Sequence, residues 1–197
     1  AKEYLKNFKG FQRSILSRYN TPGMEEVMKK SWQILKNNEA IIEKYSDYLV
    51  HADFIPHNFR ISGNSMYMLD YVAFHFGNKY EDWARLLNYM VIYNPALENK
   101  LKKYILNNRG EDEYFDLRLM RIYKIGYLLQ FYTRSLSKTA LDLHTLTSCR
   151  IEFWEEVLTC IIHDKELDKK ILKVYIQNRD NLRSAEEKKR QREFTVA

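Results

Sequence analysis

The 197-residue sequence is poor in cysteine and glycine, and no long apolar run interrupts it. No stretch approaches the roughly 20 apolar residues that cross a bilayer, and the opening AKEYLKNFKG lacks the h-region of a signal peptide, so a cytoplasmic protein with no membrane partner is expected. The only cysteines, Cys149 and Cys160, stand eleven apart in helix-like sequence with no CxxC motif or Cys/His cluster. They read as free thiols. His144 and His163 have no ligand partners at metal spacing, so zinc is not expected. The six glycines are scattered at positions 10, 23, 63, 77, 110 and 126, and no Gly-rich loop that cradles phosphates can be assembled from them.

What is present is helical periodicity and charge. The length suits one domain, 1–197, with enough chain for a real core. The net charge of +6 is concentrated near the start (Lys2, Lys6, Lys9, Arg13, Arg18) and in the tail (Arg183, Lys188, Lys189, Arg190, Arg192). Glu186, Glu187 and Glu193 are mixed into that tail, which makes it a solvated helix rather than a nucleic-acid arm. Leu5, Phe8, Ile15, Leu16 and Tyr19 recur at helical spacing. Asn20-Thr21-Pro22-Gly23 breaks that helix, and Thr21 can cap the next with Pro22 in its first turn. A short helix over Glu39 to Tyr45 follows. After Gly77 the helical period returns in Trp83, Leu86, Leu87, Met90 and Val91, with further helices expected near 96–107, 113–134, 138–163 and 165–190. The apolar content of 114–132 suits a central helix, and most of the aromatic residues fall at core spacing.

Residues 48–71, YLVHADFIPHNFRISGNSMYMLDY, break this pattern. Phe59 to Ile61 and Met66 to Leu69 flank Ser62-Gly63-Asn64-Ser65, which predicts a β-hairpin with a four-residue connection. The expected fold is therefore mainly α with a small β insert (α+β). Within the insert, His51, Asp53 and Asn58 read H-x-D-x-x-x-x-N, and twelve residues after Asn58 an apolar strand ends in Asp70. This is the order that kinase-fold phosphoryl transfer uses: a catalytic loop, a hairpin, then a metal-binding carboxylate. A hydroxyl attacking a γ-phosphoryl group needs a carboxylate to orient it and take its proton, a role Asp53 can fill. Mg²⁺ prefers oxygen ligands, which Asn58 and Asp70 can provide.

HADFIPHN…MYMLDY resembles the catalytic core of the aminoglycoside phosphotransferase and choline kinase-like family of small-molecule kinases. Those proteins show H-G-D-x-x-x-x-N, an apolar strand ending in Asp, and then an Asp in a D-x-A context, as in Asp82-Trp83-Ala84 here. The resemblance implies the helical C-terminal lobe of the protein kinase-like fold, with the hairpin carrying the catalytic loop. It implies Asp53 as catalytic base, Asn58 and Asp70 as Mg²⁺ ligands, His51 as a brace of the loop, and Asp82 as its anchor through backbone hydrogen bonds. It further implies ATP or GTP as phosphoryl donor and a small-molecule hydroxyl as acceptor. On this basis 1–47 are leading helices, 48–84 hold the catalytic loop, hairpin and metal-binding Asp, and 85–197 form a helical substrate side with a charged tail. Ala52 stands where the family has Gly. No nucleotide lobe with a strand-borne Lys and helix-borne Glu precedes His51, so a fragment of a longer kinase-like protein is expected, completed by a missing N-terminal lobe or a partner chain.

Around this core, His57, Tyr71 and Phe74 are candidate pocket residues. Glu111, Asp112, Glu113 and Asp116 form an acidic cluster that would attract a cationic substrate, although acidic residues at a helix start are favoured by the macrodipole alone. Two alternatives stand beside the kinase reading. One is a non-enzymatic kinase-like interaction module. The other, less expected, is a basic helical nucleic-acid-binding domain.

Overall fold

A computed structural model describes residues 1–185, 187 and 188. Of the expected charged tail, Glu186, Lys189, Arg190, Arg192 and Glu193 lie outside the described residues. The chain divides into two compact units, residues 1–8 with 31–125 and residues 9–30 with 126–197. Their borders fall inside helices, not at residues 47 and 84, where the sequence changes character.

The fold is mainly α with a small β insert. The elements are α1 (Lys2–Leu16), α2 (Pro22–Asn37), α3 (Glu39–Lys44), β1 (Tyr48–Val50), β2 (Phe59–Ser62), β3 (Ser65–Met68), β4 (His75–Gly77), α4 (Glu81–Tyr93), α5 (Ala96–Asn108), α6 (Glu111–Leu136), α7 (Leu141–Ile162) and α8 (Lys169–Leu182). No helix among the described residues is long and apolar enough to cross a membrane. Local chemistry sets most boundaries. Thr21 Oγ1 accepts the Met24 N–H at 3.1 Å, with Pro22 opening α2. The Asp168 carboxylate accepts the Lys170 N–H at 2.7 Å, so α8 starts at Lys169, four residues after the expected start.

The first unit holds the β insert and the helices that support it. Leu117, Met120, Ile122 and Ile125 of α6 are buried there together with Ala84 and Leu87 of α4. Arg121 is buried on the same helix, paired with Glu98 and donating from Nε to Asn88 Oδ1 at 3.0 Å, so its charge is both neutralised and hydrogen-bonded. β2 and β3 form an antiparallel hairpin in register Phe59↔Met68 to Ser62↔Ser65. The connection is shorter than expected, because Ser62 and Ser65 join the ladder and only Gly63-Asn64 turn. Gly63 supplies the left-handed φ of 58° at the first turn position, where a side chain would be strained. β4 was not foreseen: it pairs antiparallel with β1 in a separate two-stranded sheet, Val50↔His75 and Leu49↔Phe76. Three residues carry too little alternation to announce a strand.

The second unit is built on α7 and α8, with Phe153 and Tyr175 stacked at 3.9 Å between ring centroids and 10° between planes. Ile151, Trp154 and Leu158 are buried beside them. The aromatic residues are less uniformly core than their spacing suggests, since Tyr127 and Phe131 of α6 and Tyr67 and Phe76 of the insert are exposed.

Candidate functional site

The segment between β1 and β2 has no strand partner, so its backbone N–H groups need acceptors from elsewhere. Asp82, in the first turn of α4, supplies them. Its Oδ2 accepts from His51 N at 2.9 Å and its Oδ1 from Ala52 N at 2.8 Å. Ala52 is held at φ 67°, a left-handed conformation that costs a non-glycine residue about 1–2 kcal/mol. His51 is 2% exposed. Its Nε2 lies 2.8 Å from the Leu69 carbonyl; because a carbonyl only accepts, Nε2 carries the proton. The ring meets Phe74 edge-on at 4.9 Å, and Nδ1 is buried with no hydrogen-bond partner among the described residues. His51 thus ties the loop to the end of β3.

Asp53 and Asn58 are joined directly. Asn58 Nδ2 donates to the Asp53 carbonyl at 2.8 Å and to Asp53 Oδ2 at 3.1 Å. These bonds orient the Asn58 amide and leave its Oδ1 with no partner among the described residues. Leu69 N donates to Asn58 O at 2.8 Å, extending the hairpin by one rung and setting Asp70 just beyond Asn58 in the register. Asp70 is exposed, sits at φ 60°, and makes no side-chain hydrogen bond or ion pair among the described residues. Left-handed non-glycine residues occur at Ala52 and Asp70, at both edges of the loop–hairpin unit, and also outside it at Asp47, Leu141 and Asp164. Asn58 Oδ1 and the Asp70 carboxylate are oxygen donors of the kind a hard cation takes together with water and phosphate. Among the described residues no group of three or more His, Cys, Asp or Glu could hold a metal, so phosphate and water would have to complete such a shell.

Arg85, one turn beyond Asp82 on α4, was not singled out from the sequence. Its Nε and Nη2 both reach Asp53 Oδ1, at 3.0 and 2.9 Å. Tyr89, a further turn along, meets His57 Nδ1 through its hydroxyl at 3.1 Å, and their rings pack at 5.5 Å. A run of Asp82, Arg85 and Tyr89 at helical spacing was the available signal, visible only once α4 was known to lie against the loop. Glu81 was also missed. It is buried, and its carboxylate gathers Lys124, Tyr4 and His75. Burial pushes that carboxyl up, but the Lys124 charge and hydrogen bond outweigh it and hold it below the usual carboxylate range.

The remaining candidates divide. Tyr71 is exposed, with its hydroxyl donating to the Met68 carbonyl, and Phe74 is committed to the His51 ring. The acidic cluster does not form an open cation-binding surface. Glu111 is exposed, Asp112 pairs with Lys44 at 3.0 Å, and Glu113 pairs with Lys79 at 2.7 Å while accepting from the Tyr80 hydroxyl. Asp116 is fully buried, with Oδ1 accepting from Asn78 Nδ2 at 3.1 Å. These carboxylates serve the start of α6, where the macrodipole favours them, and the packing beneath it.

Burial pushes the Asp116 carboxyl up to about 8, against the opposing Asn78 hydrogen bond and Lys79 charge, so it keeps its proton at neutral pH in the folded chain. In the unfolded chain that proton leaves near pH 4. Between these values the folded state binds more protons, and this group's contribution to stability falls as pH rises from about 4 to about 8. Asp116→Asn is therefore expected to flatten that slope and gain stability relative to the parent at pH 9 more than at pH 5. Urea midpoints at the two pH values check this, and identical pH dependence in both proteins would contradict it.

A groove of about 520 Å³ lies on the second unit between α7 and α8, lined by Glu152, Glu155, Phe153 and Tyr175 among others, and none of the sequence-derived site residues borders it. No family model, curated protein or solved structure matches this chain.

Proposed function

We propose that this chain is the helical lobe of a kinase-like phosphotransferase, similar to the aminoglycoside phosphotransferase and choline kinase-like family, which moves the γ-phosphoryl group of ATP or GTP to a hydroxyl of a small molecule in the cytoplasm. The observation that carries this reading is the joined Asp53–Asn58 pair, with Asp70 just beyond Asn58 in the register and the loop backbone tied to Asp82. Asp53 Oδ2 accepts one hydrogen bond, from Asn58, and keeps capacity for an acceptor hydroxyl. As that oxygen bonds to the γ-phosphorus, its proton passes to Asp53 and the phosphorus–oxygen bond to the departing diphosphate breaks. Asn58 Oδ1 and Asp70 would hold Mg²⁺, which neutralises charge on the phosphates when bound.

The metal assignment is tested by Mn²⁺ binding, followed through water-proton relaxation. Asp70→Asn and Asn58→Ala should each weaken it roughly tenfold or more. Undiminished Mn²⁺ affinity in both variants would refute the assignment.

A second reading has its own observation. The β insert exposes several large apolar side chains: Ile61 is 80%, Val72 95% and Phe76 75% exposed. Where such side chains form a contiguous patch, they mark an interaction surface. On the first reading it receives a nucleotide-binding lobe or partner chain; a purely interacting module would bind its partner equally well after Asp53 and Asp70 are neutralised.

A further inference from the structure

We propose that Arg85 is a phosphoryl-binding residue whose guanidinium links Asp53 to the group being transferred. This rests on the phosphotransferase reading above. Arg85 lies three residues after Asp82, so one face of α4 both ties the loop backbone and grips the Asp53 side chain. The grip is one-sided. Arg–carboxylate pairs are frequently bidentate, with one N–H on each carboxylate oxygen. Here Nε and Nη2 converge on Oδ1, while Oδ2 is taken by Asn58 Nδ2. Arginine has five N–H donors. Nε donates to Asp53 Oδ1, with Nη2 at ion-pair distance from the same oxygen, and the four N–H groups of Nη1 and Nη2 donate to no acceptor among the described residues. With the Arg85 side chain one third exposed, this leaves a planar set of donors beside the base, matched to the oxygens of a phosphoryl group.

The pairing also times the interaction. Before transfer the negative Asp53 offsets the Arg85 charge. When the acceptor hydroxyl's oxygen bonds to phosphorus and its proton moves to Asp53 Oδ2, that offset disappears. The Arg85 charge then acts on the phosphoryl oxygens as the bond to the departing diphosphate breaks. An interaction that strengthens as charge develops favours the transition state over the bound substrate.

The test uses the full chain, labelled with ¹⁵N and titrated with Mg²⁺ and inorganic triphosphate while the Arg85 Nε–Hε resonance is followed. The resonance should shift saturably. Arg85→Met should weaken triphosphate binding about tenfold, with Arg85→Lys intermediate. Asp53→Asn, which leaves Arg85 in place but removes the competing carboxylate, should tighten it severalfold. Mn²⁺ binding without anion should be unaffected by Arg85→Met and weakened roughly tenfold or more in Asp70→Asn. If Asp70 controls Mn²⁺ but Arg85→Met binds triphosphate as tightly as the parent, the Arg85 assignment alone falls. If Asp70→Asn and Asn58→Ala both leave Mn²⁺ binding intact, the phosphotransferase reading fails and the Arg85 assignment falls with it.

Discussion

Replacement of Asp82 by alanine is expected to lower unfolding stability by roughly 2–4 kcal/mol, because a carboxylate that accepts two backbone N–H groups is removed and those donors are left in a partly desolvated loop. The two bonds are well formed, at 2.9 and 2.8 Å, and His51, whose N–H makes one of them, is buried. The strained Ala52 adds to the effect: once the clamp is gone, relaxation away from φ 67° is downhill, and the loop has reason to leave its present path. Asp82→Asn should cost less, since its one carboxamide oxygen can still accept a single N–H. Urea denaturation of both variants measures the difference. A loss below about 1 kcal/mol for Asp82→Ala would show that water satisfies the loop as well as Asp82 does.

The second large effect is kinetic. On the phosphotransferase function proposed above, Asp53→Ala should slow phosphoryl transfer by roughly 10²–10⁴-fold, the range a positioned general base supplies. The same change frees Arg85 and Asn58 Nδ2 of their shared partner, so Asp53→Asn, which keeps the shape of the side chain and one acceptor oxygen, is the cleaner comparison. ³¹P NMR of ATP or GTP incubated with amino sugars and choline-like amino alcohols, with any required nucleotide lobe supplied, follows the phosphorylated product. Turnover in Asp53→Ala equal to that of the parent would remove Asp53 from the role of base.

Much of this architecture is legible in the chain because it is local. Thr21-Pro22 and the acidic residues opening α6 mark helix starts through bonds or dipole interactions formed within a few residues, whereas the Asp168 cap set the start of α8 later than expected. Ser62-Gly63-Asn64-Ser65 announces a hairpin because Gly63 can take the left-handed turn position. The spacing of His51, Asp53, Asn58 and Asp70 is likewise a property of one continuous stretch. What stayed hidden depends on distant segments. β4 exists only as the partner of β1, some twenty-five residues earlier. Arg85 and Tyr89 look like ordinary polar positions on a helix until α4 is set against the loop between β1 and β2. Glu113 and Asp116 looked like a surface for cations, and their engagement by Lys79 and Asn78 could not be read from a cluster of like charges.

The sequence by itself determined that the chain is mainly helical, that a small β insert interrupts the helices, and that His51, Asp53, Asn58 and Asp70 fall in one short stretch, because turns, caps and periodicity are short-range. Only the tertiary structure decided which of these groups touch: that Asp82 holds the loop, that Arg85 takes one oxygen of Asp53, and that Asp116 is buried and keeps its proton. Burial, and the pairing of residues thirty or more positions apart, arise from packing over the whole unit, and no local pattern encodes them.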